Sequence, residues 1–171
     1  MSYQNENGRC KYGADENQCH ADFGAEEGPL SGAQLSPRER AGGRDDSGPA
    51  AGQDPRQVYK TLVAYGHSKN YYVFVIPVES TLDLKKAAKA AGEKSVEMVP
   101  VSELLGLTGY VRGGCSPIGM KKPFSTFFDS EVEKWETVMV SAGKIGWQVE
   151  LAPAALMELT RGKTALLTAG T

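Results

Sequence analysis

Val58-Tyr59-Lys60-Thr61-Leu62-Val63-Ala64-Tyr65-Gly66-His67-Ser68-Lys69-Asn70-Tyr71-Tyr72-Val73-Phe74-Val75-Ile76-Pro77-Val78 is the stretch from which the fold is read. Residues 58–65 are rich in β-branched and aromatic side chains, which predicts a strand. Gly66 to Asn70 is a turn by composition. Tyr71 to Val78 is nearly all apolar, the pattern of a central strand covered on both faces. Two such strands across a five-residue turn predict an antiparallel hairpin. Strict alternation puts Val58, Lys60, Leu62 and Ala64 on one face. A lysine on an otherwise apolar face is either an edge residue with a buried stem or a functional charge.

Downstream of the hairpin, helices and strands interleave. Thr81 to Gly92 reads as a helix, capped by Thr81 or Asp83 and stopped by Gly92, with Leu84, Ala87, Ala88 and Ala91 as its buried stripe. Ser95 to Met98 is a short strand, and Pro100 to Leu105 a short helix begun at Ser102. Ser125 to Phe128, Thr137 to Ser141 and Trp147 to Leu151 read as strands. Pro153 to Leu159 is a helix with proline in its first turn, and Ala165 to Leu167 a last strand. There is no regular βαβ rhythm and no internal repeat. The order predicts an α+β fold with a curved, mixed sheet.

The 171 residues suit one domain. The charge is divided unevenly along them. Residues 1–56 hold 6 Lys/Arg and 10 Asp/Glu, whereas residues 57–171 hold 13 and 11. From Gly24 to Pro55, Gly, Pro, Ser and charge dominate, and Leu30 and Leu35 start no periodic pattern. Such a segment buries too little apolar surface to offset its ordering entropy, so residues 1–56 are expected to be poorly ordered and residues 57–171 to form the domain. No apolar run approaches the roughly 20 residues of a membrane helix. The first twenty residues lack the basic-then-apolar profile of an export signal. Three cysteines are too few for a disulfide scaffold. The cytoplasm is the expected location. Cys10, Cys19 and His20 have no metal-site spacing.

The densest functional-looking stretch is Leu107-Thr108-Gly109-Tyr110-Val111-Arg112-Gly113-Gly114-Cys115-Ser116-Pro117-Ile118-Gly119. Its glycines permit positive φ and close approach of a ligand to the main chain, whose N–H groups can cradle an anion or a carbonyl oxygen. A structural turn fits the same residues. No GK[ST] follows and no βαβ unit encloses it, so it is neither a P-loop nor a dinucleotide fingerprint. Cys115 lies within the loop, but the two histidines are His20 and His67, and neither is placed to act as its base. Val140-Ser141-Ala142-Gly143-Lys144-Ile145-Gly146-Trp147 reads as a hairpin. No carboxylate pair or Asp/Glu/His cluster suggests a metal, so neither metal nor cofactor is expected.

Five blocks, taken together, carry a resemblance. They are Val58-Tyr59-Lys60-Thr61-Leu62-Val63; Leu82-Asp83-Leu84-Lys85-Lys86-Ala87-Ala88; Val96-Glu97-Met98; Thr108-Gly109-Tyr110 with Gly113-Gly114, Ser116-Pro117-Ile118-Gly119; and Val140-Ser141 with Gly143-Lys144, Gly146 and Val149-Glu150-Leu151. In this order and spacing they resemble the YbaK/EbsC proteins of the superfamily of YbaK and prolyl-tRNA-synthetase-associated editing domains. The match runs from about Gln57 to Thr168.

The resemblance implies a barrel-like curved mixed sheet with packed helices. It also implies a free-standing deacylase that removes cysteine from mischarged Cys-tRNA(Pro), working beside prolyl-tRNA synthetase. Cysteine and proline have similar volumes, which a synthetase pocket separates poorly. By the same resemblance Lys60 binds the tRNA 3′ end beside the scissile ester. Gly113 and Gly114 hold the aminoacyl group in the glycine loop, which Ser116 and Pro117 shape. Ser141 and Gly143 form a second wall. Thr61 and Gln148 complete the substrate-binding set, the family position of Gln148 being sometimes Asp. Lys60, Gly113 and Ser141 are thus the candidate catalytic residues. The substrate thiol supplies the nucleophile, so the enzyme can be classed as lyase or hydrolase. The partners implied are tRNA and prolyl-tRNA synthetase, without membrane or DNA.

Family members begin with an amphipathic helix and a strand, which residues 1–56 do not match; a shifted reading frame and true divergence both fit that composition. Two other readings compete. One is editing of Ala-tRNA(Pro) by water. The other is a catalytically weakened module that binds tRNA or synthetase.

Overall fold

The computed structural model describes residues 36–39, as backbone, and 54–169. Its elements are β1 (Ser36–Glu39), β2 (Tyr59–Gly66), β3 (Tyr71–Pro77), α1 (Leu84–Ala91), β4 (Val96–Met98), α2 (Val101–Thr108), β5 (Ser125–Asp129), β6 (Val138–Ser141), β7 (Trp147–Leu151), α3 (Pro153–Thr160) and β8 (Lys163–Ala165). Short 3₁₀ turns occupy Pro55–Gln57 and Ser130–Lys134.

The β2–β3 hairpin is the centre. The strands pair antiparallel from Tyr59 opposite Pro77 to Tyr65 opposite Tyr71. The turn closes with the Gly66 N–H on the Asn70 carbonyl at 2.8 Å, and Lys69 takes a left-handed φ of 64°. β3 is covered on both faces, as its unbroken apolar run predicted. Val73 and Val75 join Tyr59, Val63, Phe128, Val138, Val140 and Leu156 in one core. Phe74 and Ile76 join Ala64, Ala87, Ala88, Val96 and Leu167 in another. α1 lies over this second core, while α2 and α3 contribute Leu104, Leu107 and Leu156 to the first.

The sheet is mixed. β3 pairs in parallel with β5, and β5 with β8, extending the order to β4-β2-β3-β5-β8. A second sheet, β1-β7-β6, is antiparallel throughout. The two meet at a parallel bridge between Val58 and Met139. Since β3 occupies one edge of β2, β6 and β4 share the other: β6 takes its beginning, and β4 its end, from Ala64 to Gly66. This change of partner bends the surface into the expected curve. Among the described residues no pairing joins β8 to β1, so the curved sheet is open there rather than a closed barrel. Ser36–Glu39, in the segment read as poorly ordered, is an edge strand on β7.

Several elements differ in detail from the expectations. Asp83, not Thr81, caps α1, accepting from the N–H groups of Lys85 and Lys86, and Gly92 ends it at φ 71°. Leu84 of the predicted stripe is 43% exposed; the alanines alone face the core, because only small side chains fit so close to the sheet. α2 runs three residues past Leu105 to Thr108 and has no side-chain cap. The last strand precedes Leu167, because the Leu167 and Thr168 N–H groups donate to Asp129 Oδ2 at 3.0 and 3.1 Å. Asp129 Oδ1 accepts from the Glu131 N–H at 3.0 Å, and the residue is 1% exposed.

That buried carboxylate fastens the C-terminal segment to β5. Asp129→Ala strands three N–H groups and should cost about 3 kcal/mol in urea unfolding, since each orphaned buried donor is worth roughly 1–3 kcal/mol. Asp129→Asn keeps one acceptor oxygen and should lose less. Equal stability of the alanine variant and the wild type would show that these bonds contribute nothing.

Candidate active site

Lys60 is on the face that alternation assigned to it. Its row-mates Leu62 and Ala64 lie against the core that contains Phe74 and Ile76, and Lys60 itself pairs with Ile76. Toward the second sheet the surroundings become polar. A single parallel bridge, Val58 to Met139, brings β6 to the start of β2, two residues before Lys60; two residues beyond Met139, Ser141 pairs with Gln148. In-register residues of paired strands project to the same side. Lys60, near the start of β2, and the Ser141–Gln148 pair, at the end of β6 and the start of β7, are the polar row at this junction.

The chemistry of the row follows from its burial. The Lys60 ammonium donates to the Val78 carbonyl at 3.1 Å. Desolvation draws its pKa below the ordinary lysine value, so the proton is held less firmly than on a surface lysine. Gln148 is 7% exposed. Ser141 Oγ is buried and has no hydrogen-bond partner among the described residues. A buried hydroxyl left unpaired costs roughly 1–3 kcal/mol, and a ligand atom placed there would recover that cost.

Thr61 falls on the other face. It stands between Tyr59 and Val63, both in the first core, and pairs with Val75. Its Oγ1 is also buried without a partner among the described residues, as is the Tyr59 hydroxyl. Thr61 and Lys60 thus do not share a surface, a consequence of their adjacency in one strand.

The glycine loop packs on the turn that follows Ser141. Gly113 has φ 84° and Gly119 φ 71°. A Cβ on Gly114 would lie 3.1 Å from the Ile145 nitrogen and 3.2 Å from the Lys144 carbonyl carbon. Gly114 is therefore glycine because the loop packs backbone to backbone on the turn between β6 and β7. Gly143, at φ 95° in that turn, has the Tyr110 ring 2.8 Å from where a Cβ would stand. Tyr110 donates its hydroxyl to the Ile118 carbonyl at 2.6 Å, which closes the loop on itself. The buried Ser116 accepts from the Ile118 N–H at 3.2 Å, and Pro117 is buried beside it. Tyr110 is not among the site residues that the sequence suggests; the missing Cβ of Gly143 makes room for its ring, an approach that only the structure shows.

No residue here is set up as a protein nucleophile. Cys115 is buried, and desolvation pushes its thiol up to about 11. His67 is exposed in the hairpin turn, its N–H on the Ser95 carbonyl. Among the described residues no group of three His, Cys, Asp or Glu could hold a metal, and no helix is long and apolar enough to cross a membrane. Cys10, Cys19 and His20 lie outside the described residues.

A family model described as the aminoacyl-tRNA editing domain matches residues 45–159. The chain belongs to this family. Over 117 residues it is 50% identical to an Enterococcus faecalis protein named "Putative Cys-tRNA(Pro)/Cys-tRNA(Cys) deacylase EbsC", covering 68% of this chain and 71% of the relative. Bacillus subtilis YwhH is 26% identical over 107 residues, 63% of this chain and 68% of that one. A crystal structure described as "a putative trans-editing enzyme for prolyl tRNA synthetase" superimposes with a TM-score of 0.72 at 27% identity, covering 80% of this chain and 87% of that one.

The protein is thus an aminoacyl-tRNA deacylase with the YbaK-like α+β fold. The family match begins at residue 45, upstream of Gln57, where the resemblance of the five blocks starts. Gly114→Ala in this editing domain should lift the loop off the β6–β7 turn. Misplacement by about 1 Å can cost 10²-fold in rate, so deacylation should fall at least tenfold while the thermal midpoint moves by only a few degrees. An alanine variant with wild-type turnover would disconnect the loop from the chemistry.

Proposed function

We propose that this editing domain removes cysteine from Cys-tRNA(Pro) and that the cysteine's own thiol is the nucleophile. The observation that carries the reading is the site's composition: a desolvated ammonium and, on the strands that meet it, a buried hydroxyl, with neither a partner for that hydroxyl nor an activated nucleophile or general base among the described residues. Such a site can orient and neutralise, but it needs an attacking group from elsewhere. The identity to EbsC and the fold shared with a trans-editing protein support the choice of substrate.

In the proposed reaction the aminoacyl carbonyl lies over the row with its oxygen toward the main-chain N–H group at Gly113, while Gly114, whose own N–H donates to the Val111 carbonyl at 3.1 Å, lets the loop approach closely. The thiol sulfur attacks that carbonyl carbon and a C–S bond forms. The ester C–O bond breaks, and the terminal ribose oxygen leaves with the proton that the thiol has lost. The products are a cyclic thiolactone and uncharged tRNA, with no water consumed. Lys60 shields the negative charge that develops on the departing oxygen. Ser141 and Gln148 bond the substrate's polar groups, and Gly143, Ser116 and Pro117 keep the loop and the facing turn in place. Because attack is intramolecular, orientation and charge stabilisation suffice. The exposed Arg112, Lys121, Lys122 and Lys144 provide cations for tRNA phosphates. The work would be done in the cytoplasm, alongside prolyl-tRNA synthetase.

The mechanism predicts strong selectivity. Cys-tRNA(Pro) should be cleaved while Ser-tRNA(Pro) and Ala-tRNA(Pro) persist, because a few per cent of thiol is already thiolate near neutrality and a hydroxyl is far less nucleophilic. Equal rates on the cysteine and alanine substrates would sink thiol assistance and favour hydrolysis by water.

Lys60→Ala should lower single-turnover deacylation by on the order of 10²-fold, the usual weight of one electrostatic donor in a desolvated site. Lys60→Arg should restore only part of the rate, since a planar guanidinium does not replace a compact ammonium. Circular dichroism of the same preparations should be unchanged. A folded Lys60→Ala variant at near-wild-type rate would remove Lys60 from the mechanism.

A further inference from the structure

The face of the sheet that carries Lys60 is covered, beyond Leu62, by α1, and the outer side of that helix is basic. Leu84–Ala91 reads LKKAAKAA. Ala87 and Ala88 are buried against Ala64, Phe74 and Ile76. Lys85 and Lys89, four residues apart and so on one stripe, are exposed, as is Lys94 just beyond the Gly92 cap. No acid lies on the helix itself. From Asp83 to Lys94 there are four lysines and two acids, an excess equal to that of the whole of residues 57–171, 13 against 11. Both acids are engaged at the ends. Asp83 caps the helix through the N–H groups of Lys85 and Lys86, and Glu93 accepts from Ser68 and, at 2.7 Å, from the Tyr72 hydroxyl.

These lysines do little for the fold. Lys86 has a structural bond, its ammonium donating to the Thr168 carbonyl at 2.7 Å. Among the described residues Lys85, Lys89 and Lys94 form neither a side-chain hydrogen bond nor an ion pair. Lys85 stands in the first turn, where the helix dipole disfavours a cation, and Lys89 is a like charge at i+4. Solubility is served by charge of either sign, whereas a stripe of one sign attracts a polyanion. The helix also has a direction relative to the site. It starts six residues after Val78, whose carbonyl holds the Lys60 ammonium, and Ile76, the cross-strand partner of Lys60, packs under it. It ends at the hairpin tip, where Glu93 meets Ser68 and Tyr72. α1 therefore leads away from Lys60, on the same face of the sheet, for about 12 Å.

We propose that the outer face of α1, through Lys85, Lys89 and Lys94, binds the phosphates of the tRNA acceptor arm as it leads away from a 3′ end held at Lys60. The inference rests on the tRNA reading of the site and deepens it. A nucleic acid carries a negative charge on every nucleotide, and a strand that leaves the lysine along its own face of the sheet passes over this helix. The stripe holds no aromatic side chain, so it meets the backbone and not the bases, and its contribution is independent of sequence. Selectivity for the aminoacyl group then stays with the residues around Lys60, while α1 supplies affinity.

The test compares the full-length wild type with the triple variant Lys85→Gln, Lys89→Gln, Lys94→Gln. Glutamine matches lysine in helix propensity, so the fold is kept, which circular dichroism checks. Binding of uncharged tRNA(Pro) is measured across a salt series, with steady-state deacylation of Cys-tRNA(Pro) and binding of prolyl-tRNA synthetase alongside. The triple variant should bind the tRNA at least tenfold more weakly. Its slope of log affinity against log salt should flatten by roughly one for each lysine. The loss should appear in KM rather than in kcat, and a tRNA of different acceptor-stem sequence should lose as much. Lys134→Gln, which removes a lysine already paired with Glu131, should leave affinity and slope as they are. Unchanged tRNA affinity and salt slope in the triple variant would overturn the assignment, as would an equal loss per lysine in Lys134→Gln. Loss of synthetase binding at unchanged tRNA affinity would also overturn it and give the face to a protein. The two readings fail separately. Binding of tRNA that depends on the α1 lysines, without deacylation by the wild type, would keep the helix as a tRNA surface and refute the deacylase proposal for this substrate. Deacylation with tRNA affinity indifferent to the three lysines would do the reverse.

Discussion

The free edge of β2 is the constraint on which the architecture depends. One edge is taken along its length by β3, so every other contact must share the second. β4 uses its last residues, and β6 reaches its beginning through the Val58–Met139 bridge. A strand that serves two partners in succession cannot keep both sheets flat, because each pair brings its own twist. The bend that follows places the β6–β7 hairpin beside Lys60. Remove the bridge and β6, with its Ser141–Gln148 pair, has no reason to meet the start of β2.

The same junction explains why a costly arrangement is tolerated. Beyond Leu62 the Lys60 face is closed by α1 and its alanines, and apolar packing is complete. At the junction the row turns polar: among the described residues the ammonium is held by a single carbonyl and the hydroxyl has no partner. Neither improves stability. Both are what a charged leaving group and a polarised carbonyl would meet in a preorganised site. Around the row the backbone is tightly fixed: Gly114 against the Lys144–Ile145 peptide, Gly143 under the Tyr110 ring, and the Tyr110 hydroxyl on the Ile118 carbonyl. The rigid parts are main chain and ring, so a loop rich in glycine need not be a loose one.

Much of this was legible from residues alone. The hairpin, its central second strand, the Lys60 face and the strand Trp147–Leu151 are written in local periodicity, and the structure has them where the pattern put them. The helix over residues 84–91 followed from its alanines and from Gly92. Its buried stripe was read too generously, since periodicity names a face but not how closely that face approaches the sheet; Leu84 lies at the margin. The last strand was displaced by Asp129, whose carboxylate captures backbone N–H groups nearly forty positions away along the chain. Nothing in the residues around Leu167 announces that competitor.

The sequence by itself determined which segments are strands and helices, which side chains share a face, and, through five ordered blocks, the family. These are local properties: alternation, caps and turn residues act over a few positions, and motif order survives without a structure. Only the tertiary structure decided that β6 meets β2 at Val58, that Ser141 pairs with Gln148, and that Thr61, adjacent to Lys60, faces the other core. It also decided that Gly114 and Gly143 are required by two different close approaches. The reason is physical. A strand's pattern states what its faces are, but register and edge are properties of a pair of strands, and the partner of β2 lies some eighty residues further along the chain.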